Sequence, residues 1–305
     1  MAADAARAQA GFTSARAARV LAAACRTAGL DAGEAELIRL GENALFRLRS
    51  AQVIVRVARS VEYLSSVRRE VAVSRWLARE GFPAARVVDD LEQPFVIDGH
   101  PVTFWHLIVE EGRGATYGEL GAVLRDLHAL ALPEGLELPR YDAFGRADLR
   151  LERAVGIPSD DLQFLRKRRQ ELKEKLEELR FESPLGPVHG DAHTDNLMVG
   201  RDGVVYLIDF ENFCVDHPEW DLEVAAHEYD RLGWVTDEHY ADFVGAYGRD
   251  LRDWSGFQTL CAIQEFKMTT WLMQNVAEGE DVAAEFGRRM VSLRDERAPR
   301  RWLPY

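Results

Sequence analysis

The sequence predicts an α+β chain in two parts, a small antiparallel sheet lobe over residues 1–108 and a mainly helical lobe over 109–305. Three observations predict it. Short β-prone runs broken by Gly, Pro, Asn and Asp crowd between residues 35 and 109. After residue 116, apolar positions recur at three- and four-residue spacing behind capping residues, as in amphipathic helices. One hairpin pattern, at 197–208, interrupts the helical part and carries its densest polar chemistry.

Residues 1–12 are Ala-rich and read as a frayed start. Thr13-Ser14 then caps an Ala/Arg/Leu helix that stops at Gly29. Strand candidates follow at 35–40, 44–49 and 53–58, the first two parted by Gly41-Glu42-Asn43. In the third, alternation puts Ile54, Arg56 and Ala58 on one face and Val53, Val55 and Val57 on the other. A cation there needs a partner or a ligand, unless it is an edge-strand Arg whose head reaches water. The helix predicted over 67–80 offers Glu70, which shares a stripe with Val67, Val71, Ser74 and Leu77. A carboxylate on a core-facing stripe calls for a partner. Arg56 fits, although surface pairing with Arg68 or Arg75 is the alternative.

Further strands are predicted at 87–91, 94–97 and 102–109, with Asp98-Gly99 as a turn, giving a sheet of about five strands. Thr116-Tyr117-Gly118-Glu119 is a capping box opening a helix with Leu120, Val123, Leu124 and Leu127 on one face. His128 lies beside that stripe and reads as a packed helical histidine. Residues 132–158 give no clear element, and Ser159 is the predicted cap of a charged helix to about residue 180. Its Arg166-Lys167-Arg168-Arg169 run reads as a solvated face. Helices are predicted again over about 236–248, 253–275 and 279–295.

The chemistry concentrates in residues 188–211, VHGDAHTDNLMVGRDGVVYLIDFE. Phosphoryl transfer to a hydroxyl needs an Asp that accepts the hydroxyl proton, and an amide and a carboxylate that hold a Mg²⁺ against the nucleotide phosphates. The pattern for this is His-x-Asp, an Asn five residues after the Asp, then Asp-Phe. Here His189-Gly190-Asp191, Asn196 and Asp209-Phe210 match it. Asp202-Gly203 between two apolar runs signals a two-residue hairpin turn. Centred there, the ladder sets Asn196 opposite Asp209, close enough for an amide and a carboxylate to share one hard cation. A bare surface hairpin with turn-forming Asp and Asn residues is the alternative.

This stretch resembles the aminoglycoside phosphotransferase and choline-kinase-like small-molecule kinases, whose catalytic segment runs His-Gly-Asp-Leu-His-x-x-Asn before an Ile-Asp-Phe or Ile-Asp-Trp strand. The chain departs from it at Ala192, and has Thr194-Asp195 where many members have Pro-Gly. The resemblance implies a bilobal protein-kinase-like fold, with nucleotide between the lobes and Asp191 as base. It implies that Arg56 replaces the usual phosphate-gripping Lys and pairs with Glu70, and that the turn at Asn43 covers the phosphates. Leu107, Ile108 and Val109 would be the crossing segment that holds the adenine through backbone groups. Pro218-Glu219-Trp220-Asp221-Leu222 resembles the family's Pro-x-x-Asp-Leu, whose Asp braces the catalytic loop.

Composition bounds the partners. A net charge of −13 argues against nucleic acid. No apolar run is long enough to span a bilayer, and three scattered cysteines suggest a reducing cytoplasm. From Glu211 to Asp242 ten carboxylates face one Arg, Arg231. If some line the acceptor cleft, they favour an amine-bearing acceptor such as an aminoglycoside-like antibiotic; otherwise they only solvate the surface. The expected reaction is transfer of the ATP γ-phosphoryl group, with GTP as an alternative donor, to a small-molecule hydroxyl. Rival readings are a kinase of an amino alcohol, a homoserine-like or a sugar metabolite, a protein kinase, and a nucleotide-binding protein without transfer. The absence of G-x-G-x-x-G and of Ala-Pro-Glu after Asp209 counts against the protein kinase.

Overall fold

Thr13 caps helix α1 (Ser14–Ala28) by accepting from Arg16 N, and Gly29 closes it in the left-handed region at φ 71°. The structure, a computed structural model, describes residues 12–41, 43–295 and 297–305. The Ala-rich start and Glu42 of the first predicted turn lie outside that range. The chain divides into two compact units, one of residues up to Ala115 with Leu132–Leu138 and Asp195–Phe213, the other of the remainder.

The first unit carries a five-stranded antiparallel sheet in the order β1-β2-β3-β5-β4. Its strands are β1 (Ala35–Leu40), β2 (Asn43–Leu48), β3 (Val53–Ala58), β4 (Phe95–Ile97) and β5 (His100–His106). Alternation divides the faces as the sequence predicts. Val53, Val55 and Val57 join Ala44, Phe46, Leu48, Val102 and Phe104 in a core closed by Ala17, Val20, Leu21 and Ala24 of α1. Arg56 falls on the opposite face, paired in register with Leu45 and Thr103. Helix α2 (Leu64–Arg79) starts three residues earlier than expected and buries Val67, Glu70, Val71, Ser74 and Leu77.

Two predicted strands are corrected. Residues 87–91 give only a bridge, Val87 to Trp105, closed by Val88 N to Phe104 O (2.9 Å) and His106 N to Arg86 O (2.8 Å). Gln93 takes up the next rung, accepting from Phe104 N (2.7 Å) while donating to Val88 O (2.9 Å). The last strand ends at His106, and Leu107 N turns to Gln52 O (2.9 Å).

The hairpin of the first unit, β7 (Leu197–Val199) with β8 (Val205–Leu207), also corrects the expected register. Leu197 pairs with Leu207 and Val199 with Val205, so Asn196 stands opposite Ile208, whose N–H it accepts at 3.0 Å. The loop is three residues long, Arg201-Asp202-Gly203. Gly203 at φ 76° supplies the left-handed position such loops need, and Asp202 Oδ1 takes Val204 N (3.1 Å). That extra residue slides one strand by one position and places Asp209 just beyond the paired ladder.

The second unit is mainly helical: α3 (Tyr117–His128), α4 (Gly145–Glu152), α5 (Ser159–Glu178), α6 (Glu219–His227), α7 (Asp237–Tyr247), α8 (Phe257–Met273) and α9 (Glu280–Arg294). A two-stranded ladder, β6 (Gly186–Val188) with β9 (Cys214–Asp216), accompanies them. The capping box of Thr116 and Glu119 forms as read. Gly121 lets α3 approach α7 closely, since a Cβ there would lie 2.4 Å from Phe243 O. Pro158, not Ser159, occupies the cap of α5, and Ser159 is already helical. Helix α6 starts directly after Pro218, earlier than any helix the sequence predicts there, and runs into a π-helical turn, Glu228–Leu232.

At the C-terminal end, Arg289 of α9 is 1% exposed. It bonds Glu285 Oε1 (3.0 Å), Met268 O (3.1 Å) and Leu303 O (2.8 Å) and lies 4.9 Å over the Trp302 ring. Among the described residues no helix is long and apolar enough to cross a membrane.

Candidate active site

The loop that carries Asp191 follows β6 in the second unit. Its backbone is tied down by Asp221 near the start of α6: Oδ2 accepts from His189 N (2.7 Å) and Oδ1 from Gly190 N (2.8 Å). Asp221 is fully buried and meets His128 Nε2 at 3.0 Å, and His128 Nδ1 lies 3.0 Å from Tyr247 OH. The bracing role implied for Asp221 therefore has a geometric basis. His128, read only as a packed histidine, is its partner.

Asp191 follows directly, its side chain 49% exposed and 3.6 Å from His193 Nε2. Burial pulls its pKa upward, but the hydrogen bond and charge of His193, with His189 and Lys267 beyond, outweigh this and hold the carboxyl below its usual value. A carboxylate that stays ionised can accept a proton from a hydroxyl.

In the first unit, the Arg56 guanidinium joins three partners. Nη1 donates to Glu70 Oε2, Nη2 lies 3.7 Å from Glu211 Oε2, and with the Asn43 amide turned to present its oxygen, Nη2 and Nε reach it at 2.9 and 3.0 Å. Arg56 thus touches Glu70, the partner expected for it, and Asn43, which the sequence placed in the turn beside it. Glu70 is 2% exposed. Burial raises its pKa to about 7 against the lowering effect of Arg56, and the negative charges of Asp209 and Glu211 push the same way as burial. In the first turn, Gly41 N donates to Asn43 O (3.0 Å), so the contribution of this turn to the cluster is the Asn43 side chain.

Asn196 is 7% exposed and ends a 3-10 turn directly before β7, and Asp209 takes φ 63° at the entry to a short 3-10 turn, Phe210–Asn212. Asp tolerates this left-handed backbone better than most residues. Phe210, 1% exposed, anchors the turn against Trp105 and Phe213 at ring separations of 6.3 and 6.2 Å. An amide oxygen and a carboxylate from consecutive parts of one hairpin suit a hard divalent cation. The excess of carboxylates around Arg56 gives such a cation a negative field.

Leu107 and Val109 line a cavity of about 480 Å³ with Ala84, Arg86, Tyr206 and the hairpin tip at Arg201. The Val109 carbonyl accepts from Arg201 N (2.9 Å), which fixes the segment's spacing from the hairpin.

The Phosphotransferase enzyme family model (APH) matches residues 34–260, a span that holds Asn43, Arg56, Glu70, Asp191, Asn196, Asp209 and Asp221. The chain belongs to the phosphotransferase enzyme family. As a member it is an enzyme, an ATP-dependent phosphotransferase acting on a hydroxyl group. Its α+β, protein-kinase-like fold is shared with solved structures. One is an amicoumacin kinase in complex with AMP-PNP, Ca2+ and Ami, 18% identical, with a TM-score of 0.70 over 92% of this chain and 95% of that one. A second is the choline kinase LicA from Streptococcus pneumoniae, 18% identical, with a TM-score of 0.63 over 90% and 98%. A third is a spectinomycin phosphotransferase in complex with ADP and spectinomycin, 13% identical, with a TM-score of 0.59 over 87% and 90%.

Several carboxylates of this phosphotransferase's acidic stretch have structural duties. Asp216 accepts from Arg140 Nε (2.8 Å) and Tyr141 N (3.2 Å), Glu219 from Arg249 Nη1 (2.9 Å), and Asp237 from Tyr229 OH (2.9 Å). Glu211 and Asp221 are engaged as described. Sequence reading missed a group beside them in the second unit. Lys267 of α8 donates to Tyr141 OH and sits 5.0 Å from that ring's centre, and Glu223 of α6 is 3% exposed. Lys267 is the only cation of α8, and that was the available signal.

Proposed function

We propose that this enzyme moves the ATP γ-phosphoryl group to a hydroxyl of a small, amine-bearing molecule, an aminoglycoside-like antibiotic or a similar basic compound. The observation that carries the reading is Asp191, an ionised carboxylate on a loop whose backbone is clamped by the buried Asp221. Asp191 takes the proton of the acceptor hydroxyl. The acceptor oxygen then bonds to the γ-phosphorus as the bond from that phosphorus to the bridging oxygen of ADP breaks. Asn196 and Asp209 would hold Mg²⁺, which supplies charge neutralisation along the phosphates. Arg56, held by Glu70, Glu211 and Asn43, grips the phosphates, and the cavity at Leu107 and Val109 takes the base. The two lobes would then be residues 1–108, which cover the nucleotide, and 109–305, which bring the acceptor. The buried thiols Cys25, Cys214 and Cys261 agree with a cytoplasmic enzyme.

The amine preference rests on the carboxylates of the second unit that remain near the catalytic loop's charges. Burial raises the Glu223 pKa to about 8, and Glu228 and Glu265 add to it against Lys267. A phosphorylation screen over aminoglycosides, other antibiotics, amino alcohols and sugars, run with ATP and with GTP, tests the reading. The expected best acceptor carries amines and has a KM that rises with salt. A neutral or anionic best acceptor with a salt-indifferent KM would overturn it.

A further inference from the structure

Helix α2 meets the phosphate and metal residues through two consecutive side chains. Glu70 takes Arg56 Nη1. Arg69, half-buried beside it, donates from Nη2 to the Glu211 carbonyl at 3.2 Å. The two partners lie 142 residues apart in sequence, within one compact unit. Among the described residues this is the only hydrogen bond of the Arg69 side chain. Glu211 is the middle residue of the 3-10 turn that Asp209 opens. Its side chain leans the other way, with Oε2 3.7 Å from Arg56 Nη2. The ends of the turn are seated by packing. Phe210 rests against Trp105, and the fully buried Phe213 meets Trp76 of α2 at 6.1 Å between ring centres. Packing of this kind is non-directional and leaves the turn able to pivot about its two rings. An N–H···O bond weakens steeply off line. The Arg69 bond therefore sets the rotation of the turn, and with it the direction of the Asp209 carboxylate.

Given Asp209 as a Mg²⁺ ligand, proposed above, on which this rests, we infer that Arg69 is the positioning residue of the metal site. It acts through the Glu211 carbonyl and the turn, not by contact with the ion. Glu70 supports the phosphate side through Arg56, so adjacent residues of one helix hold the two halves of the donor site. The sign of the effect separates positioning from charge. A guanidinium near a divalent cation repels it, so charge alone would make removal of Arg69 tighten the metal. Positioning makes the same removal weaken it. Outer partners of metal-holding groups are typically worth about 10–100-fold in metal affinity. Arg69 acts at one remove, through a peptide group, and belongs at the lower end of that range.

The experiment titrates Mg²⁺ into the full chain with AMP-PNP, an ATP analogue that is not turned over. Calorimetry reads the nucleotide Kd across the titration and again in EDTA, for wild type, Arg69→Met, Arg69→Lys and Asp209→Asn. Arg69→Met is expected to need about tenfold more Mg²⁺ for the same tightening, with its Kd in EDTA unchanged. Arg69→Lys, which can still donate to the carbonyl, recovers most of the loss. An unchanged or tighter Mg²⁺ response in Arg69→Met overturns the inference. Equal weakening with and without the ion also overturns it, since that is general loosening of the fold. Asp209→Asn tests the reading beneath. If it keeps the wild-type Mg²⁺ response, the metal assignment falls and the role of Arg69 with it. If it loses that response while Arg69→Met keeps it, Arg69 alone is removed. Should Arg69→Met fold poorly, Arg69→Gln, polar but too short to reach the carbonyl, is read in its place.

Discussion

His128 Nε2 stands 3.0 Å from Asp221 Oδ2, and the same carboxylate holds the His189 and Gly190 amides. A helix residue 93 positions away in sequence thus backs the clamp on the catalytic loop. Replacing Asp221 by Ala strips two loop N–H groups of their acceptor. Each such loss costs about 1–3 kcal/mol, so Asp221→Ala is expected to lose roughly 2–6 kcal/mol in urea unfolding together with most of its turnover. His128→Ala, which leaves both amides bonded, should lose less stability than Asp221→Ala. Equal losses would mean that the clamp works through His128 and not through the amides.

Asp191→Asn should leave nucleotide affinity within a few-fold while transfer falls by about 10²–10⁴-fold, the usual worth of base catalysis. Near-normal single-turnover transfer would remove Asp191 from the role of base. The pH profile carries a second check. Because the carboxyl is held below its ordinary pKa, the base remains ionised as pH falls through the usual Asp range, and activity is lost only when pH drops through the lowered value. Removing His193, which does most of the lowering, should move the acid limb of kcat/KM to higher pH.

Asp209 is best tested as Asp209→Asn, because Asn also tolerates φ 63° and avoids adding backbone strain to the loss of charge. Mg²⁺-dependent nucleotide binding, followed by calorimetry, should be abolished or nearly so, and Asn196→Ala should weaken it. Unchanged Mg·ATP affinity in Asp209→Asn would sink the metal assignment.

Arg56 and Glu70 should behave as a coupled pair, with an interaction energy of about 0.5–3 kcal/mol in a double-mutant cycle on kcat/KM. The structure adds a sharper expectation. The guanidinium uses separate nitrogens for Glu70 and Asn43, and a Lys ammonium cannot span both. Arg56→Lys should therefore raise the KM for ATP although the charge is kept. A KM equal to wild type would show that charge alone suffices.

Where local rules decide, the sequence was readable. The Thr13 cap, the Gly29 stop, the Thr116–Glu119 box and the alternation that sets Arg56 away from the sheet's core all follow from neighbours along the chain. The Arg56–Glu70 contact was readable too, because a carboxylate on a buried helical stripe has few ways to be satisfied. Register was not. Asp202-Gly203 signals a turn, but two- and three-residue loops share that signal, and the choice shifts Asn196 from Asp209 to Ile208. The duties of Asp216, Glu219 and Asp221 were equally hidden, since an acidic run looks alike whether its members meet solvent, arginines or backbone amides. His128 and Lys267 gain their roles only from contacts 93 and 126 residues distant.

The buried Arg289 ties the far end of the polypeptide to the helix that carries Lys267. It bonds the Met268 carbonyl on one side and Leu303 on the other, beneath the Trp302 ring. Residues 302–303 therefore act as a latch and make a poor handle for engineering. A protease cut after Arg301, or a fusion partner that pulls Trp302 out of its seat, would expose a guanidinium whose remaining anchors are Glu285 and the peptide next to Lys267. Damage at the tail would then be felt first at the helix that carries Lys267, far along the chain from Arg56 and Asp209.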